Sequence, residues 1–334
     1  MSKPFVHVIA SDLDGTLLDG THHIAEETRE TLNKIVNKYN TKEKNSVIVV
    51  LASGRNVFDV SAVLGELQLP PETLTFIVSS NGAQVHQCKF EPSGKYTLEI
   101  IRDAPLTGDQ VRAMMTLVPY GDQEVNINLY QYEGWRCSID WQDQLEYFKV
   151  SGLTYTLFNA EEEVKAYDRY VEEVKKNPNT TMKNPFEKVY KLYYGSDNTE
   201  RIDQLEKEVK KLFGDEVMAA GSSAYNVEMT GKNISKAHSI EYLLETIQKD
   251  PKIKLDNGDK KWTIGEDCIA FGDGLNDAEM LKAVRHSYVM GNCSSRLKEI
   301  ILGDGSPYKS KSELIGSNKE NGVAKQLQKL FLSD

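Results

Sequence analysis

Phe5-Val6-His7-Val8-Ile9-Ala10 runs directly into Ser11-Asp12-Leu13-Asp14-Gly15-Thr16-Leu17. The first six residues are apolar apart from one His and do not alternate with polar ones. That is the pattern of a strand buried on both faces. Three further runs repeat the plan. Val47 to Ala52 (V-I-V-V-L-A) meets Ser53-Gly54-Arg55, Phe76 to Val78 meets Ser79-Ser80-Asn81-Gly82, and Cys268 to Phe271 meets Gly272-Asp273-Gly274. Helical patterns lie between them. Residues 25–39 put Leu32, Ile35, Val36 and Tyr39 on one stripe behind an acidic first turn. Residues 277–285 (D-A-E-M-L-K-A-V-R) continue from the Asp273 loop. Strands alternating with helices predict a parallel α/β sheet. Such sheets bind ligands at the carboxyl ends of their strands, where all four polar clusters stand.

The middle of the chain has another texture. From about Ala83 to Glu228 it is richer in Tyr and Trp, and its apolar runs alternate, as in Val125 to Tyr130 (V-N-I-N-L-Y), Lys188 to Tyr194 and Tyr225 to Met229. Helical patterns near 160–176 and 199–213 separate them. The reading is an α+β insert with an antiparallel sheet over residues 84–229, placed within one discontinuous core of residues 1–83 and 230–334. Of its aromatic residues, Tyr130, Tyr132, Trp135 and Trp141 suggest a sugar-stacking surface, but aromatic burial energetics favour a small core of the insert itself. The Lys/Asn/Asp-rich stretches at 38–46 and 249–261 read as solvated loops.

Composition narrows the function classes. With 40% hydrophobic and 27% charged residues the chain is globular rather than disordered. A net charge of -10 and no basic arm argue against nucleic acid as a partner. Cys88, Cys137, Cys268 and Cys293 stand far apart without zinc spacing and read as free thiols of a reducing compartment. No stretch approaches the ~20 apolar residues of a membrane helix. The expectation is a cytoplasmic protein without a membrane partner.

The strand ends carry the chemistry. Asp12 and Asp14, with Gly15 to turn the backbone, can converge on one point; one carboxylate can attack phosphorus and the other can move protons. A plain Asp/Gly turn is the alternative. Asp273 and Asp277 add carboxylates at the same end of the sheet. Clustered carboxylates need a cation, and oxygen ligands of this kind suit Mg²⁺; Asp277 also reads as a helix cap. Ser53, Gly54 and Arg55 offer a hydroxyl, an approachable amide and a helix start, which together make an anion site. Lys236 opens a helical stretch, where the helix dipole disfavours a cation, so a phosphate or the nucleophilic carboxylate is its better partner.

At this point the chain resembles the haloacid dehalogenase (HAD) superfamily, in its Cof-type branch with a type IIB cap, over nearly its whole length. Asp12-Leu13-Asp14-Gly15-Thr16-Leu17 is similar to the first motif, Ser53-Gly54-Arg55 to the second, Lys236 to the third, and Gly272-Asp273-Gly274-Leu275-Asn276-Asp277 to the fourth. Ser80-Asn81-Gly82-Ala83, Met290-Gly291-Asn292 and Asn321-Gly322-Val323-Ala324 fit minor signatures. The resemblance implies a Rossmann-like parallel-sheet core with an inserted α+β cap. It implies a Mg²⁺-dependent phosphatase acting on a small phosphorylated metabolite, a sugar phosphate foremost, through an aspartyl-phosphate. Asp12 is then nucleophile and metal ligand. Asp14 is general acid/base, with its backbone carbonyl a ligand. Asp273 is the third protein ligand, supported by Asp277. Ser53 and Lys236 hold the phosphoryl group, and Gly54, Arg55 and Asn276 lie near phosphate or substrate. The cap is expected to close over the site and select the leaving group. Ala237 stands where the family commonly has Gly, and Cys293 where a small Ala is usual. The alternative activity is a sugar-phosphate phosphotransferase or mutase; Ser53-Gly54-Arg55 favours the hydrolase. Asp14 speaks against dehalogenation, and the complete set of carboxylates and Lys speaks against an idle binding protein.

Overall fold

The computed structural model describes residues 4–71, 73–91, 95–132, 134–140, 154–221, 223–256, 258 and 260–333. The chain forms two compact units, one of Met1–Asp103 with Ser235–Asp334 and one of Ala104–Ile234. The first segment supplies β1 (Val8–Ser11), β2 (Ile48–Ala52), β3 (Thr75–Ser79), β4 (Gln84–Phe90) and β5 (Tyr96–Asp103). The second unit supplies β6 (Asn126–Gln131), β7 (Gly134–Cys137), β8 (Tyr155–Leu157), β9 (Val189–Gly195), β10 (Val217–Ala220) and β11 (Asn226–Gly231). The last segment adds β12 (Cys268–Gly272), β13 (His286–Val289) and β14 (Ser312–Leu314).

The first unit is an eight-stranded sheet in the order β14-β13-β12-β1-β2-β3-β4-β5. All pairs from β14 to β3 are parallel, which makes this an α/β fold. The continuous apolar runs have a simple cause. Ile9, Val49, Leu51, Ile77 and Phe271 pack into one layer with Leu32, Ile35 and Val36 of the helix Glu26–Tyr39. Val8, Ala10, Val50, Phe76, Val78 and Ala270 pack into the other with Ile240, Leu243 and Leu244 of the helix Lys236–Ile247. Each such Val, Leu, Ile or Phe side chain contributes about 1.5–3 kcal/mol by leaving water.

The boundary of the large sheet differs from the sequence reading. Gln84–Phe90 and Tyr96–Asp103, expected in the insert, are β4 and β5; β4 pairs antiparallel with β3, and β5 with β4. The link Ser80–Ala83 is too short for a parallel crossover, so a hairpin follows. Buried polar residues disguise β4: Gln84, His86 and Gln87 interrupt its apolar pattern yet lie inside. Residues 230–234, expected in the core, fall in the second unit.

That second unit has a six-stranded sheet in the order β10-β11-β9-β6-β7-β8. It is antiparallel except for the β7–β8 pair, which is parallel where an all-antiparallel sheet was expected. Helices Gly108–Met115, Ala160–Lys176 and Thr199–Phe213 send Val111, Val164 and Leu205 into a core shared with Ile127, Leu192 and Val227. Asn159 and Asn198 cap the two longer helices through the amides of Glu162 and Arg201. Tyr130 and Trp135 do not join this core; they form a separate cluster with Tyr155 and Tyr193. The period-two pleat sends them to the other side of the sheet from Ile127 and Leu129. Tyr132 is exposed, and Trp141 lies outside the described residues. The four cysteines are free, and among the described residues no helix is long and apolar enough to cross a membrane.

Candidate active site

The site begins with strand register. β1 lies between β12 and β2, with Ser11 level with both Phe271 and Leu51. Asp12, Gly272 and Ser53 therefore come off neighbouring strands close to one height. The Asp12 amide continues the ladder by donating to the Phe271 carbonyl at 3.1 Å. After Asp12 the chain makes a wide turn: Leu17 N–H reaches the Asp12 carbonyl and Leu18 N–H the Leu13 carbonyl. Gly15 sits in that turn at φ +72, and a Cβ there would lie 2.3 Å from Asp273 Oδ2. Glycine is thus needed both for the backbone and for the carboxylate beside it. Thr16 Oγ donates to Asp273 Oδ1 at 3.0 Å.

β12 delivers the second half. Asp277 folds back so that its Oδ2 accepts the amides of Asp273 (3.1 Å) and Gly274 (3.0 Å). A Cβ on Gly272 would sit 2.6 Å from that of Asp277, so this return also depends on glycine. Lys236, at the head of its helix behind the Ser235 cap, brings its ammonium 2.6 Å from Asp12 Oδ1 and 2.7 Å from Asp277 Oδ1. Its side chain is fully buried. The sequence oddity of a Lys at a helix start is resolved by these two carboxylates, which outweigh the dipole.

Three carboxylates, of Asp12, Asp273 and Asp277, offer oxygens within 4.8 Å of one another. Burial pushes Asp12 well above the ordinary carboxylate range; Asp277 adds repulsion and Lys236 pulls the other way. Burial, followed by Asp277, pushes Asp273 up to about 7. Buried oxygens that repel one another fit a hard divalent cation, which would let all three ionise. The linkage has a definite sign. A carboxyl raised from 3.8 to about 7 contributes stability that is full below 3.8 and lost as pH rises through 7. Compared with an Asp273→Asn control, which shares the opposing shift of His86, protein stripped with EDTA will therefore lose stability between about pH 5 and pH 8, and an added divalent cation will raise the melting temperature more at the higher pH. An equal gain at both pH values in a thermal scan would exclude Asp273 from the cation's ligands.

The other expected residues form a second group. Asp14 repels Asp12 and Asp273 and has its own cation: Arg55 Nε donates to its Oδ2 at 2.7 Å, and Nη2 to its Oδ1. His22 Nδ1 is 3.7 Å from the same carboxylate. Ser53 is buried, and its Oγ accepts the Arg55 amide at 3.1 Å. Gly54 lies between them in the turn that leads to the Asn56-capped helix Val57–Leu67. Asn276 Nδ2 donates to Asn81 Oδ1 at 3.3 Å. Asn292 Nδ2 donates to the Gly15 carbonyl at 2.8 Å and so braces the first turn. Thr16, His22, Asn81 and Asn292 had no assigned part in the sequence reading. The first motif contained Thr16 and the minor signatures contained Asn81 and Asn292; His22 had no such mark.

A parallel sheet whose strand ends gather three carboxylates about one ammonium is the framework of an enzyme that handles an anionic group. The profile of the haloacid dehalogenase-like hydrolases matches residues 9–327, and the chain belongs to that family. A Haemophilus influenzae protein named "Putative phosphatase" is 29% identical over 333 residues, 99% of this chain and 98% of its own length. An HMP-PP phosphatase of Escherichia fergusonii is 22% identical over 289 residues, 86% of this chain and 85% of its own. Among solved structures, a HAD subclass IIB sugar phosphatase matches 97% of this chain and 98% of its own with a TM-score of 0.65. At 16% identity that likeness is one of fold. Enzymes of the family generally use a divalent metal, in keeping with the acidic cluster.

Proposed function

We propose that this phosphatase hydrolyses the monoester of a small phosphorylated metabolite, a sugar phosphate foremost, through an aspartyl-phosphate on Asp12. Lys236 carries the reading: it is a fully buried ammonium shared between Asp12 and Asp277, poised to neutralise an incoming phosphoryl group. The residues that hold Mg²⁺ are Asp12, Asp273 and the backbone carbonyl of Asp14, with Asp277 in support. When bound, Mg²⁺ supplies positive charge that offsets the carboxylates and the phosphoryl oxygens.

In the first half, Ser53, Lys236 and Asn276 orient the phosphoryl group while a carboxylate oxygen of Asp12 attacks phosphorus. The ester P–O bond breaks, and the leaving oxygen takes a proton from Asp14. In the second half, Asp14 accepts a proton from water as the water oxygen attacks phosphorus. The bond to Asp12 then breaks, which releases inorganic phosphate and restores the carboxylate. Positioning and electrostatics carry most of such a transfer. Asp14 gives its proton to the leaving oxygen in the first half and takes one back from water in the second, so each turnover returns it to its starting form. Arg55 donates to both Asp14 oxygens, and a substrate phosphate is an anion that competes for the guanidinium and frees Asp14 to carry that proton. The unit Ala104–Ile234 serves as the cap that selects the leaving group.

Purified protein will release phosphate from members of a panel of sugar phosphates, nucleotides, a pyrimidine pyrophosphate and p-nitrophenyl phosphate with Mg²⁺, and will stop with EDTA. Silence across the panel, or release indifferent to EDTA, would overturn the reading. The best ester reports the leaving group that the cap accepts.

A further inference from the structure

We propose that Asn81 is a positioning residue for the phosphate end of the site and acts through Asn276; this rests on the phosphatase reading above. Ser80, Asn81 and Gly82 have φ of 49, 56 and 110, three left-handed residues in succession after β3. Such a run is unfavourable for residues with a Cβ and persists only where its surroundings enforce it. Here they do. Ser80 N–H donates to the Arg55 carbonyl at 2.7 Å and Asn81 N–H to the Ser53 carbonyl at 3.0 Å. Ser239 Oγ donates to the Gly82 carbonyl at 2.8 Å, and a Cβ on Gly82 would meet the Ser235 carbonyl oxygen at 2.5 Å. The turn is thereby clamped between the Ser53–Arg55 loop and the head of the Lys236 helix.

From this clamped turn Asn81 Oδ1 accepts the Asn276 carboxamide at 3.3 Å. The backbone alone does not call for Asn, because glycine takes left-handed φ without penalty. The side chain is explained by its partner. Holding one N–H of Asn276 limits the rotamers of its carboxamide and leaves the second N–H for an anion. The turn Ser80–Gly82 thus links three elements far apart in sequence: the Ser53–Arg55 loop, the Lys236 helix and, through Asn81, the Asn276 loop.

The test uses Asn81→Gly, Asn276→Ala and the double variant in the full-length protein. It reads p-nitrophenyl phosphate kinetics, inhibition by inorganic phosphate, and melting temperature. Asn81→Gly will raise KM and the phosphate Ki by about fivefold, the factor of one neutral hydrogen bond, with kcat changed less than about twofold. Its melting temperature will stay at or above that of the wild type, since glycine relieves the left-handed strain. The double variant will be no worse than Asn276→Ala alone. Unchanged KM and Ki in Asn81→Gly, or effects that add in the double variant, would overturn the brace. So would a lower melting temperature and kcat at constant KM, the signature of a merely structural role. Wild-type protein that turns over no ester overturns the phosphatase reading itself; active wild type beside an unaffected Asn81→Gly overturns the brace alone.

Discussion

Replacing Asp12 by Asn will slow phosphate release by at least about 10⁴-fold, while inorganic phosphate still binds and the melting temperature holds. The amide has the size of the carboxylate but is a poor nucleophile toward phosphorus, so the first bond is not made. The fold should not suffer. Asp12 is buried and repelled by Asp277, Asp273 and Asp14, so its ionisation is opposed by its surroundings. Removing that charge leaves Lys236 still paired with Asp277 at 2.7 Å. The measurement is the initial rate on the best ester of the panel, beside a melting curve. A variant within about tenfold of the wild type would place the nucleophile elsewhere.

The second large effect is expected at Lys236. Its ammonium pairs with Asp12 and Asp277 and is fully buried, and its proton is held more firmly than that of an ordinary lysine. Met matches its length and fills its space, so Lys236→Met isolates the charge. Two buried carboxylates then face each other without a counter-ion, at a cost of about 3–5 kcal/mol near pH 8. The cost shrinks as pH falls, because Asp12, already pushed up by burial, takes up a proton and stops repelling its neighbour. Catalysis should fall by about 10² to 10³ from the lost stabilisation of the phosphoryl charge. Urea unfolding at about pH 5 and pH 8 reads the first effect and kcat the second. A stability loss under about 1 kcal/mol at the higher pH would mean that the ammonium does not carry this charge balance.

The core of the fold was legible because its physics is local. β1, β2, β3 and β12 are apolar on both faces, and both faces are covered, so each run shows its strand directly. The helix Glu26–Tyr39 was equally plain, with Leu32, Ile35 and Val36 buried on one stripe. β4 was not, because Gln84 and His86 are polar residues inside, and no local pattern announces a buried polar strand. The approach of Asp12, Asp273 and Asp277 could be anticipated from the polar clusters at the ends of β1 and β12, and that of Lys236 from the cation at a helix start. The partner of Asp14 could not. Arg55 was read as a phosphate contact, and its turn toward Asp14 depends on rotamers that strand order does not set. The same holds for Tyr130 and Trp135: their burial was foreseen, but the face they occupy depends on the register of β6 and β7.

The pairing of β1 with β12 also bears on how the enzyme is made. Val8 is aligned with Cys268, and Thr16 bonds Asp273 from 257 positions away. A ribosome makes Asp12 long before Asp273 and Asp277, with the whole of Ala104–Ile234 in between. The contiguous unit Ala104–Ile234 can collapse while the polypeptide is still growing. The strand that leads to Asp12 must instead wait, lacking one neighbour, until that long loop closes. Truncation anywhere before β12 therefore leaves a first half with an open strand edge, exposed to mispairing, rather than a weakened catalyst.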